Sequence, residues 1–296
     1  MFDNLLGHQE NKDLLASMLH SPCFPNVLLL YGHPGVGKSD FARAISKALI
    51  GMSSDQTYHP DYLEFFPDTK THLYSMNGIR SILQEVGISP FTAKCRVFLI
   101  HHLECVEEGA NALLKVFEET PNYMRFICTT SKKESILPTL LSRMHMVAFN
   151  PLSLEEIAFW ISKRYTMSKS DRERIALFSS GSLTKAKLFC EMDTHTLFSL
   201  LEKLFLSLQK QKHFSLYERI EDLELFIEKA AISLEDLYES IITFLQMYSL
   251  PSSHLILEKI LQLSNQFFEA NKKLIRKKNI LEWFFFSLFS HIHPQA

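Results

Sequence analysis

A parallel α/β sheet with helices on both faces, followed by an all-helical second half, is the fold class this sequence predicts. Three observations carry it. Over the first half, short runs that are apolar throughout alternate with amphipathic stretches, as expected of strands buried on both faces. From about Pro151 the strand-like runs stop and only helical patterns follow. Between the first strand-like run and the first helical one stands a glycine-rich turn.

Element by element, NVLLLYG (26–32) reads as a strand, and SDFARAISKALIG (39–51) as an amphipathic helix stopped by Gly51. CRVFLIH (95–101) is strand-like, EEGANALLKVFEET (107–120) helical, and MRFICTTS (124–131) strand-like again. Beyond Pro151, LSLEEIAFWISKRYT and SKSDRERIALFSSGSLTKAKLF are helical patterns with Ser or Asp at their starts. After about Thr194 the helices lengthen: TLFSLLEKLFLSLQKQ, LYERIEDLELFIEKAAIS, LEDLYESIITFLQMYS and SHLILEKILQLSNQFFEANKKLIRKK. The expected division is an α/β nucleotide-binding domain at 1–150, a small helical domain at 151–205 and a helical bundle at 206–296.

At 296 residues the chain exceeds one ordinary domain, and 46% hydrophobic with 22% charged residues is the composition of a globular protein with a real core. A net charge of -2 supplies no global pull toward nucleic acid, so any DNA contact is expected to be local or provided by partners. The five cysteines (Cys23, Cys95, Cys105, Cys128, Cys190) form no C-x-x-C pair, which is reduced, cytoplasmic usage. MFDNLLGHQENKD opens with acids and amides where a signal peptide needs a basic start. No apolar run approaches the ~18–20 residues of a membrane span. A cytoplasmic protein with no membrane partner is the expectation.

The segment Gly32–Ser39, GHPGVGKS, fits G-x-x-x-x-G-K-[ST] in full and sits where the mechanism requires, after a strand and opening a helix. Gly32, Gly35 and Gly37, with Val36 between, allow backbone N–H groups to turn inward around phosphate oxygens at a positive helix terminus. Lys38 would reach the β- and γ-phosphates of ATP or ADP, and the Ser39 hydroxyl would ligate Mg²⁺. Hydrolysis needs more: a carboxylate at the end of a neighbouring strand and a group that positions water. The strand Val97–Ile100 delivers His101 and His102 instead. Imidazole is a poor ligand for Mg²⁺, which prefers oxygen. The nearest acid, Glu104, lies three residues further on. A zinc ion shared by the two histidines is disfavoured, since adjacent strand residues point to opposite faces. The pattern therefore predicts nucleotide binding without hydrolysis, with Mg²⁺ weak or absent and no zinc.

Several segments align with one known family. They are LLGHQ near the start, HPD at 59–61, IRSILQEV at 79–86, ANALLKVFEETP at 110–121 and MRFICTTSKKESILPTLLSRM at 124–144. Together with the three-part layout, they resemble the bacterial clamp-loader ATPases, a branch of the AAA+ proteins. The resemblance is specific over about 1–150, weaker through the helical lid and architectural beyond it. It implies an α/β P-loop AAA+ core, a small helical lid and an all-α C-terminal collar. It further implies a part in DNA polymerase III, loading a sliding clamp onto primed DNA beside gamma/tau motor subunits and a delta subunit.

Within that family the motors keep acids after the second strand, whereas the delta-prime class does not hydrolyse ATP. The departures here fall on the delta-prime side. His101 and His102 stand at the acidic positions, and Thr184 stands where a motor's lid places a sensing Arg, with Lys185 next to it. The family's four-cysteine zinc module is missing, since no cysteine lies between Cys23 and Cys95. The S-R motif is present as Ser142-Arg143, with Met144 in place of the usual Cys. The resemblance makes Arg143 an arginine finger acting in trans on a neighbour's ATP, since a fixed guanidinium can meet charge developing on phosphoryl oxygens. It also makes Thr129 or Thr130 a polar sensor.

Two other readings stay open on sequence grounds: a motor of the same family with an unusual acid donor such as Glu104, and a non-catalytic scaffold with a vestigial loop. The basic run KKLIRKK (272–278) reads as a solvated helix face more readily than as a DNA contact. WFFFSLF (283–289) is expected to pack a helical collar between subunits.

Overall fold

A computed structural model describes residues 2, 5–21, 23–53, 56, 58–69, 71–106, 109–192, 194–209, 213–230, 233–247, 258, 260, 262, 263, 266 and 277–292. Contacts gather the chain into two compact units, Met1–Trp160 with Gly181–Thr184, and Ile161–Ser180 with Lys185–Ala296.

The first unit is built on a five-stranded sheet: β1 Val27–Gly32, β2 Tyr62–Phe65, β3 Arg96–Ile100, β4 Met124–Thr130 and β5 His145–Phe149. Its order is β2-β3-β4-β1-β5, and every neighbouring pair is parallel. The flanking helices are α1 Gln9–His20, α2 Lys38–Leu49, α3 Met76–Glu85, α4 Ala110–Glu118 and α5 Pro138–Leu141. The two-residue period of the strands divides the apolar runs between two cores. Leu28 and Leu30 of β1, with Val97, Leu99 and Ile127, pack on one face with Phe41 and Ile45 of α2. Leu29, Phe98, Ile100, Phe126 and Cys128 pack on the other with Ile79, Ile82, Leu113 and Phe117. Both faces of β1 and β3 are buried, which is why these strands read as unbroken apolar runs. Each fully buried Leu, Ile or Phe contributes ~1.5–3 kcal/mol.

β1, β3, β4 and α2 fall within a residue or two of the expected spans, while α4 begins only at Ala110, after Gly109 in the left-handed region. Two strands, β2 and β5, lie where no strand was expected. Both are sheet edges: β2 is four residues long with Glu64 inside it, and β5, although apolar from Met146 to Phe149, exposes three of its five residues. The short polar approach to β2 is fixed by Asp61, a fully buried carboxylate. It accepts the N–H groups of Phe91 (2.7 Å), Thr92 (2.8 Å) and Ala93 (2.9 Å) from the loop before β3. The Asp of HPD thus ties β2 to the connection leading into β3.

Parallel register brings the C-terminal ends of β1, β3 and β4 to one side of the sheet, pairing Tyr31 with Thr130 and Ile100 with Cys128. The glycine-rich loop, His101 and Thr130 follow at that edge, where open α/β sheets bind ligands.

The remaining helices are α6 Leu154–Arg164, α7 Lys169–Phe178, α8 Leu183–Glu191, α9 Thr194–Gln209, α10 His213–Ala230, α11 Leu234–Met247 and a final described helix, Lys277–Ile292. In the second unit Phe284, Phe285, Leu288 and Phe289 are buried, with Phe284 edge-on to Tyr238 and Phe285 edge-on to Phe205. Most of the WFFFSLF run therefore fills the core of its own chain. Residues 272–276 of KKLIRKK, and most of the helical pattern at 253–278, lie outside the described residues. Lys278 donates to Glu221 at 3.1 Å. No helix among the described residues is long and apolar enough to cross a membrane.

Candidate nucleotide site and the Arg143 edge

The loop from Gly32 to Gly37 turns only because its glycines allow it. Gly32 has φ 144°, and an added Cβ would stand 2.0 Å from the backbone oxygen of Phe149 on β5. Gly35 has φ 76°, and its Cβ would meet the Ser182 hydroxyl at 2.0 Å. The Gly35 carbonyl accepts the N–H groups of Leu183 (2.8 Å) and Thr184 (3.2 Å), so the first turn of α8 is capped by the loop itself. Val36 is buried, and its carbonyl is 3.0 Å from Nε2 of His8, whose ring lies against Phe41 and Phe149. Gly37 then opens α2 with φ 102°.

Lys38 is almost fully buried, and its Nζ donates to the carbonyls of Gly32 (2.8 Å) and His33 (2.7 Å) and to Ser131 Oγ (3.3 Å). Burial pushes its ammonium pKa down to about 8, against the opposing pull of Glu104. A glycine loop with left-handed φ at Gly35 and Gly37, a lysine and a helix N-terminus together fit the polyphosphate of a nucleotide.

The next shell is less orthodox. Ser39 Oγ lies 3.3 Å from Nδ1 of His101, and His101 Nε2 lies 2.7 Å from Oε1 of Glu64 on β2. Glu64 also accepts Arg43 Nε at 2.8 Å and the Tyr62 hydroxyl at 2.9 Å, so both of its oxygens are engaged. Phe66 stacks on the imidazole with centroids 4.5 Å apart. Tyr74 holds the backbone, its hydroxyl lying 2.7 Å from the His101 carbonyl and 2.8 Å from that of Phe65. Burial lowers the His101 pKa, although Glu64 pulls it upward. Burial alone would raise the Glu64 pKa, but hydrogen bonds from His101, Arg43 and Tyr62 hold it below the usual carboxylate range. A magnesium ion does not fit this donor set. The group beside Ser39 is an imidazole, and the carboxylate behind it already accepts hydrogen bonds at both oxygens.

The two histidines part company. His101 is buried, while His102 has φ 51° and its side chain is half exposed, 3.6 Å from Glu104 Oε1. Glu104 lies off the strand in a 3-10 turn, Leu103–Cys105, yet its side chain returns to the site. Oε1 accepts the Ser131 N–H at 3.0 Å, from the residue whose hydroxyl meets Lys38. Burial would raise the Glu104 pKa, but His102, the Ser131 amide and Thr130 bring it down to about 2. Its Oε2 is buried and has no hydrogen-bond partner among the described residues. Thr129 Oγ1 lies 3.4 Å from His101 Nδ1, and Thr130 Oγ1 accepts the Lys132 N–H at 3.1 Å. In the second unit Lys185 is ion-paired with Glu239 of α11.

Arg143 stands apart from these groups, just past the end of α5. Its Nη1 donates to the Thr139 carbonyl (2.7 Å) and the Ser142 hydroxyl (3.0 Å), while Nη2 pairs with Glu118, the last residue of α4. The guanidinium side chain is 35% exposed, and the following Met144 is buried as an anchor.

Sequence patterns alone missed Glu64 and Phe66 because β2 itself was missed, and Arg43, on the expected helix α2, because its partner Glu64 lies on that strand. The one local signal is the alternation in Tyr62-Leu63-Glu64-Phe65, which sends Tyr62 and Glu64 to one face.

A parallel sheet of this order, with a phosphate loop after an inner strand and an arginine just past the short helix that precedes an edge strand, defines an AAA+-type P-loop protein with a helical C-terminal part. Residues 7–153 match the family described as DNA polymerase III, delta subunit, and over them the chain belongs to this clamp-loader family. The chain is 26% identical over 237 residues to DNA polymerase III subunit gamma/tau of Mycoplasma genitalium, covering 74% of this chain and 39% of that one. It is 32% identical over 190 residues to subunit gamma of Buchnera aphidicola subsp. Schizaphis graminum, covering 56% and 51% respectively. The chain thus spans between about two fifths and half of the length of these curated relatives. A gamma subunit-related protein of Thermotoga maritima superposes with a TM-score of 0.50 at 17% identity, over 95% of this chain and 99% of that one. That likeness is one of fold.

Proposed function

We propose that this chain is a delta-prime-type stator of the DNA polymerase III clamp loader. It assembles with gamma/tau motor subunits and a delta subunit, in the cytoplasm, to place the sliding clamp on primed DNA. Its own loop takes ATP or ADP without hydrolysing it. Arg143 acts in trans on the ATP of a neighbouring motor, where a fixed guanidinium stabilises charge on the transferring phosphoryl group.

The observation that carries this reading is the imidazole of His101 at the Ser39 hydroxyl, braced by Glu64. A group without a carboxylate's charge sits where a motor needs a metal-holding acid, and the adjacent acid, Glu64, has both oxygens engaged by His101, Arg43 and Tyr62. Steady-state ATPase of the purified chain tests it. The expected turnover is at background and unchanged by Lys38→Ala; robust turnover abolished by that substitution would sink the stator.

One observation favours a second reading, that of a hydrolysing motor. Glu104 brings a carboxylate beside Ser131 and Lys38 with one oxygen unsatisfied. On that reading Glu104→Gln abolishes the same turnover.

A further inference from the structure

Two motifs mark the resemblance most sharply, N-A-L-L-K-x-x-E-E-x-P and S-R, and the nucleotide site uses no side chain of the first. The fold brings them together. Glu118, the first acid of that run, closes α4 and forms an ion pair with Nη2 of Arg143, 25 positions later in the chain. The other arm of the guanidinium is held by Thr139 and Ser142, and Ser142 Oγ donates to Thr139 O at 2.9 Å. Ties on both arms fix the plane and direction of a long side chain that would otherwise sample many rotamers, at roughly 2 kcal/mol of entropy. Arg143 still keeps donors to spare, since a guanidinium carries five N–H groups.

We propose that Glu118 is a positioning residue for Arg143, holding the guanidinium presented before a partner's phosphate arrives. The inference rests on the trans role of Arg143 and adds the acid that prepares it. Pre-ordering matters because an interaction made only in the transition state is weakened by whatever ordering it must still supply. Glu118 touches no nucleotide of its own chain and acts through Arg143.

The test is ATP hydrolysis by the reconstituted clamp-loader complex containing the full-length chain, in a double-mutant cycle. Glu118→Ala is expected to lower kcat about two- to fivefold, the range an exposed ion pair commands, with KM for ATP unchanged. Glu118→Gln, which keeps a neutral acceptor, recovers part of the loss. In an Arg143→Ala background, Glu118→Ala should add nothing, because the carboxylate has no guanidinium left to hold. An equal loss in that background, or wild-type kcat in Glu118→Ala beside a large Arg143→Ala defect, would overturn the positioning role alone. An inert Arg143→Ala removes the finger itself and this inference with it. Complex assembly, measured for each variant by gel filtration, separates these outcomes from misfolding.

Discussion

The phosphate loop and the Arg143 edge belong to one compact unit and handle charge in opposite ways. At Ser39 the groups close on one another: hydroxyl to imidazole, imidazole to Glu64, and Glu64 to Arg43 and Tyr62. At Arg143 a permanent cation is partly exposed and braced from behind by a carboxylate, a carbonyl and a hydroxyl. A network whose groups engage one another leaves little for a metal or an attacking water. A braced cation with donors left over can serve an anion brought from elsewhere. On the proposed reading, the contrast is that of a P-loop domain that keeps the means to hold a nucleotide while directing its catalytic charge outward.

The sharpest way to break that comparison is Arg143→Ala in the reconstituted complex. If the chemistry lies outward, the partner's DNA- and clamp-stimulated ATPase falls by about 10³-fold or more, as for other trans arginines. An unchanged rate would leave the chain a scaffold.

A smaller effect is expected on the phosphate side, where Asp61 secures β2 and with it Glu64. Asp61→Asn turns an amide N–H₂ toward backbone donors and should cost about 2 kcal/mol of stability by denaturant unfolding. Burial alone would raise the Asp61 pKa, but the N–H groups of Ala93, Phe91 and Thr92 hold it below the usual carboxylate range. The sign follows from that depression. Its stabilisation is complete above the unfolded carboxylate pKa of about 4 and is lost as pH falls through the lower folded value. The gap between wild type and Asp61→Asn should be constant from about pH 5 to 8 and close below about pH 4. A gap that persists undiminished at acid pH would show that the carboxylate charge is not what anchors the loop.

The smallest expected effect is that of the metal. With imidazole at Ser39 and both Glu64 oxygens engaged, exchanging Mg²⁺ for EDTA should shift fluorescent ATP or ADP affinity by less than about twofold. A strong Mg²⁺ requirement would point to Glu104 as a ligand and blur the distinction between the two regions.

What could be read along the chain follows from how local each signal is. β1, β3 and β4 are buried on both faces, so their apolar runs mark them directly, and GHPGVGKS announces itself because a phosphate cradle needs its glycines in fixed order. β2 escapes because Glu64 breaks a four-residue edge strand, whereas β5 holds an apolar run, Met146–Phe149, that is legible along the chain as a short strand. Glu104 is visible as an acid, but its return toward Ser131 depends on a turn that no periodicity encodes.

By itself, the sequence determined that this protein has a P-loop α/β core, that His101 and His102 follow a buried strand, and that an arginine follows a serine near the end of that core. Only the tertiary structure decided what those residues face. Glu64 reaches His101 from another strand, 37 positions away, and Glu118 reaches Arg143 from another helix, 25 positions away. The reason is physical. Strand and helix periods are set by neighbours along the chain, whereas partners across a sheet or between helices are set by register and packing, which leave no mark on either segment alone.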